Sequence, residues 1–133
     1  MASLRKLGWQ RRVLQLIAAA YGLGAFACLL FADEMAAGMG IFLNGVNGYS
    51  QFYAIYVGTR LATAALALLA ARPGQAPILG DLTALFMLAQ PAGRLVAATA
   101  IGLPHGPLLW VCALETALGI ALLLLRPGPV KIH

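Results

Sequence analysis

Three charged residues stand deep inside long apolar stretches of the chain: Arg60, Arg94 and Glu115. A charge in hydrocarbon is costly, so such groups face a bundle interior, pair with one another or mark a ligand path. Two guanidiniums and one carboxylate allow two kinds of chemistry. In the first, Arg94 and Glu115 pair to fix helix register while Arg60 snorkels to water or lipid phosphate. Asp33 or Glu34 could also balance Arg60. In the second, the three line an outward-facing polar cavity for an anion, a lipid head group or the polar end of an apolar ligand. Arginine suits both roles, because its planar fork binds a carboxylate or phosphate through two hydrogen bonds. Arg60 has no obvious protein partner and so marks the expected ligand site. Tyr53 and Tyr56, close before it in the same segment, could share its face.

Catalysis would need a nucleophile or a matched acid and base. Glu115 alone could qualify, and Arg94 would neutralise it. The helices carry no haem-type pair of histidines, and the chain has no phosphate-binding loop and no Cys/His spacing of the kind that holds metal. No catalytic residue, metal or cofactor is therefore expected. Cys28 and Cys112 fall inside apolar segments and are read as small packed residues, with a disulfide between them as the alternative. His105 lies in a short turn between two prolines without a partner ligand. Asp81 opens a helix, where it favours the positive end or pairs with Arg72 or Arg126. Pro91, after Gln90, removes a mid-helix hydrogen bond, and the resulting bend would direct Arg94 inward.

The elements that position these groups are dictated by the solvent. Of 133 residues, 62% are apolar and 10% charged, against about 25% charged in soluble domains. Apolar segments at about 13–32, 52–71, 78–101 and 107–125 are each long enough to cross about 30 Å of hydrocarbon as a helix. Each segment must satisfy its own backbone groups, and a helix does this. The expected fold is all-α: a single four-helix transmembrane bundle over 1–133, running up-down-up-down. The connection from Asp33 to Gln51 is longer and could lie in the outer interface as a short amphipathic piece.

The net charge of +5 is not a nucleic-acid surface, which would need basic residues interleaved with aromatics. Arg5, Lys6, Arg11 and Arg12 precede the first segment, Arg72 joins the second to the third, and Arg126 and Lys131 come after the fourth. The other two connections carry no Lys or Arg. This asymmetry places both termini on the cytoplasmic side of the membrane. A basic start and then Ala25-Phe26-Ala27 also match a signal peptide, but the apolar run continues through Leu29, Leu30 and Phe31 to transmembrane length. Small residues recur at packing intervals, as Ala18 with Gly22, Ala20 with Gly24, Ala113 with Ala117 and Ala117 with Ala121. Such spacing serves packing within the bundle or a homodimer face.

From Asn47 onward, about two thirds of the chain resembles a bacterial family of small four-helix membrane proteins of unknown function. Asn47 with Tyr56-Val57-Gly58 resembles the family's approach into helix two, with Val57-Gly58 in place of a Gly pair. Gly93-Arg94 resembles its helix-three motif, and Gly102-Leu103-Pro104 with Glu115 its last turn and helix. The resemblance adds Asn47 to the candidate ligand-binding residues Tyr53, Tyr56, Arg60, Arg94 and Glu115, and it implies no activity. The layout also resembles DoxX-like proteins and a sterol-biosynthesis scaffold family. Small multidrug transporters fit less well, since the first segment lacks their embedded Glu. The reading is a non-catalytic accessory or scaffold protein that meets membrane lipids, other membrane proteins or a second copy. The alternatives are a carrier or receptor for a small anionic or amphipathic ligand, and an enzyme subunit contacting quinone.

Overall fold

The computed structural model describes residues 2–127, with side chains from residue 5 onward; Gly128, Pro129 and Lys131 lie outside the described residues. All regular elements among these residues are helical. They are α1 (Ala2–Leu30), α2 (Ala32–Gly38), α3 (Gly45–Phe52), a π-helical stretch (Tyr53–Thr59), α4 (Arg60–Ala70), α5 (Pro77–Ile101) and α6 (Pro107–Leu124). The segments Arg5–Leu30, Gly45–Ala70, Pro77–Ile101 and Pro107–Leu124 are each long and apolar enough to cross a membrane. This is the make-up of a multi-pass membrane protein.

The last two helices lie within a residue of the expected 78–101 and 107–125. Pro77 and Pro107 sit at their first positions, where the missing N–H costs nothing and the fixed φ suits the helix. The turn before α6 needs Gly102 at φ 90° and Gly106 at φ 62°, a region that side chains with a Cβ rarely enter.

The first two helices start earlier than the apolar runs indicate. Helix α1 begins at Ala2, not near residue 13. Arg, Lys, Leu and Gln are good helix formers, so the helix continues through the basic stretch that hydropathy excludes. The second span begins at Gly45, not near residue 52. Its Gly- and Asn-rich first turns have weak intrinsic propensity and are mostly exposed; the helix is anchored further along, at Phe52. Cys28, Ala36, Phe52 and Val57 form a buried cluster that Ile41, Leu43 and Tyr53 pack against. The stretch after residue 33 thus contains α2 and the first third of a span rather than one loose connection.

Helix α1 packs on α4, α4 on α5, α5 on α6, and α6 returns to α1. The main core holds Leu14, Ile17, Tyr21, Ala64, Ala67, Ala84, Met87 and Leu122. Its many alanines let backbones approach closely, as helices in lipid require. The tightest point between α5 and α6 is Gly119, where a Cβ would fall 2.6 Å from Leu88 Cγ. Ala113 and Ala117 are exposed instead, so that small-residue pair is not the packing face within the bundle. The outside is apolar, with Leu23, Phe26, Leu30, Val96, Trp110 and Leu124 all more than half exposed. Such a surface suits lipid and not water.

Candidate functional site

Between the two apolar clusters lies one polar layer. On the second span, Val57 of the smaller cluster comes before Arg60, and Ala64 of the main core comes after it. Helix α1 supplies Tyr21, α5 supplies Gln90 and Arg94, and α6 supplies Glu115. These side chains meet although they lie on four different spans.

Glu115 is the hub. It is 2% exposed, and both carboxylate oxygens are engaged. Arg94 Nη1 donates to Oε2 in a hydrogen-bonded ion pair. The Tyr21 hydroxyl donates to Oε1 over 3.1 Å, and Arg60 Nη2 lies 3.7 Å from the same oxygen. Gln90, one turn before Arg94, accepts from Arg94 Nη2 at 3.3 Å and fixes the fork from behind. The expected Arg94–Glu115 pairing is present.

Arg60 differs from its expectation. It is neither a free cation nor a snorkelling one, because it is only 9% exposed and pairs with Glu115. The guanidinium lies between two aromatic faces, 5.4 Å from the Tyr21 ring centre and 5.1 Å from that of Tyr56. Cation–π attraction of this kind strengthens when water is excluded. Phe52 stacks on the far side of this ladder, 4.8 Å from Tyr56. Gly24 makes room for the head group: a Cβ there would stand 3.2 Å from Arg60 Nη1. Even so, Arg60 Nε and Nη2 are buried without a hydrogen-bond partner among the described residues. Neither Asp33 nor Glu34 fills that role. Asp33 accepts a hydrogen bond from Tyr49 at the bundle end, and Glu34 is exposed.

The π-helical stretch immediately before Arg60 contributes to this placement. Thr59 Oγ1 donates to the Ala54 carbonyl five residues back, over 3.1 Å. Each π turn holds one residue more than an α turn, which rotates the C-terminal part of the helix relative to the part before it. That rotation accompanies an Arg60 turned to the interior.

Of the other candidates, Tyr56 joins the layer. Tyr53 packs in the smaller apolar cluster with an edge-on contact to Phe52, and Asn47 is exposed with no contact to the charges. Asp81 pairs with Arg126 at 2.9 Å. Cys28 and Cys112 are both free thiols, and His105 is exposed. Sequence reasoning misses Tyr21. Its signal is a lone Tyr mid-way along an apolar helix, where the hydroxyl must find an acceptor.

The layer holds two cations and one anion, so one positive charge is left over. Both Glu115 oxygens are occupied within the layer. The arrangement can hold helices together, and it can attract an anion. No family model, curated protein or solved structure matches the chain. The resemblance from Asn47 onward is therefore a likeness of short motifs.

Proposed function

We propose that this chain is a multi-pass protein of the bacterial cytoplasmic membrane, running up-down-up-down with both termini cytoplasmic. In this reading it serves as a non-catalytic accessory or scaffold protein toward membrane proteins or lipids. The observation that carries it is the closure of the charged layer. Arg60, Arg94 and Tyr21 meet Glu115 from the other three spans, with Gln90 behind Arg94, so the polar interior ties the bundle together and leaves an apolar exterior for partners. Sidedness is supported by the basic residues. Arg11 and Arg72 line one cavity, and Arg5 and Lys6 lie beside Leu125 at that same end. Trp9 at this end and Trp110 early in α6 suit the two interfaces, where indole rings settle.

The second reading, a carrier or receptor for a small anion, is favoured by the two unpartnered nitrogens of Arg60. One experiment separates the two. The detergent-purified protein and its Arg60→Met variant are melted with and without phosphate, acetate or a short-chain fatty acid. A bound ligand raises stability in proportion to the logarithm of its concentration. Under the accessory reading none of these anions shifts the melt, and a membrane-protein partner co-purifies in fixed stoichiometry with wild type and variant alike. Stabilisation of wild type but not of Arg60→Met would replace that reading with the carrier.

A further inference from the structure

The basic end of the bundle contains a second polar feature, separate from the Glu115 layer. A cavity of about 140 Å³ opens between residues 7–14 of α1, the α4–α5 turn and the start of α5. This is about ten times the volume that one water needs. Arg11 and Arg72 both line it, and no acidic residue does. Neither arginine has an ion-pair partner among the described residues. The nearby Asp81 is already occupied by Arg126.

Gln10 also lines the cavity. It is only 6% exposed, yet its carboxamide makes no hydrogen bond to the described residues. The amide lines the cavity without a partner of its own and is free to donate to a group bound there. The amide lies against Gly80, where a Cβ would stand 2.9 Å from Gln10 Nε2. Helix α5 begins at the same cavity with no side-chain cap and no acid in its first turn. Its positive end is therefore unneutralised, which favours an anion.

We infer that this cavity binds one phosphate anion, held by Arg11 and Arg72 with the Gln10 amide as neutral donor. Two guanidinium forks and an amide match the tetrahedral oxygens of phosphate. The phosphate can come from the head group of an anionic phospholipid or from a free phosphate, and both sources would use the same donors. This site does not involve Arg60, so its failure leaves the accessory reading to its own test.

The test uses the full chain in an uncharged detergent and native mass spectrometry. The probes are phosphatidylglycerol, phosphatidylcholine and inorganic phosphate, each added alone. The expected result is one retained adduct of phosphatidylglycerol or phosphate, well above phosphatidylcholine. Retention should fall about tenfold or more in Arg11→Gln/Arg72→Gln, as loss of charge-assisted hydrogen bonds implies. Arg5→Gln/Arg12→Gln removes the same charge away from the cavity and should leave retention unchanged. Gly80→Ala changes no charge but pushes the Gln10 amide into the cavity, and it should also weaken retention. An adduct of phosphatidylglycerol alone identifies a lipid head group, and one of phosphate alone a soluble source. Equal loss in the two double variants, or no preference over phosphatidylcholine, overturns the site.

Discussion

Replacing Glu115 by Leu should be the most damaging single change in the polar layer. The carboxylate is the only anion there, and its removal leaves the buried Arg60 and the partly buried Arg94 without a counter-charge. At 3.7 Å and an effective dielectric of about 20, the Arg60–Glu115 attraction alone is about 4 kcal/mol before desolvation is counted. Breaking a buried pair costs about 3–5 kcal/mol, and Glu115→Leu, which orphans two cations, should lie at the top of that range. Arg94→Leu should cost less, about 2 kcal/mol, because Arg60 and the Tyr21 hydroxyl still hold the carboxylate. The double change Arg94→Leu/Glu115→Leu leaves Arg60 alone and should fall between the two. The triple change that also makes Arg60→Leu removes every charge and should recover most of the loss, since apolar replacement of buried ions is often nearly neutral. Equilibrium unfolding in mixed micelles with increasing dodecyl sulfate measures all four. Equal losses for Arg94→Leu and Glu115→Leu, or a triple variant no more stable than Glu115→Leu, would refute the shared-hub account.

Further expectations concern individual contacts. Tyr21→Phe keeps the ring over Arg60 and loses only the hydroxyl to Glu115, so the same unfolding assay should register a loss of about 1–2 kcal/mol. Gly119→Ala puts a methyl 2.6 Å from Leu88 Cγ; overpacking of this kind costs about 1–3 kcal/mol, and Leu88→Ala in the same chain should relieve it. Reporter fusions after Arg72 should read cytoplasm and those near Gly38 periplasm, and a periplasmic reading at Arg72 would reverse the proposed orientation.

The sequence reveals those parts of the fold that depend on solvent and spacing. Apolar length finds the four spans, and prolines at 77 and 107 mark two helix starts. The short turn between the last two segments makes their helices neighbours, which is what lets Arg94 reach Glu115. Hydropathy fails where helix and hydrocarbon differ in length. Arg5 to Arg12 are helical without being apolar, and Gly45 to Gly48 extend, as mostly exposed turns, the helix that Phe52 anchors in the smaller cluster. Arg60 escapes the sequence for a different reason. Its partner sits on a span that is not adjacent in sequence. Tyr21 leaves little trace in hydropathy, since one hydroxyl barely changes the average of an apolar helix. Gln10 is hidden among basic residues that look like a solvated tail.

The π-helical stretch from Tyr53 to Thr59 divides the second span into two halves whose faces are out of phase. One residue corresponds to about 100° of turn at 3.6 residues per turn. The wider turns take up one extra residue within nearly the same rotation, so deleting one residue there would restore α geometry and leave Gly45–Phe52 and Arg60–Ala70 facing nearly as they do. Phe52 would keep its contact with Cys28 and Ala36, and Arg60 its place against Glu115. The same deletion within Arg60–Ala70 would instead turn one side of the cut against the other by that full angle. The stretch is thus slack in the span: it can give up a codon without re-aiming either end, which an uninterrupted helix cannot do.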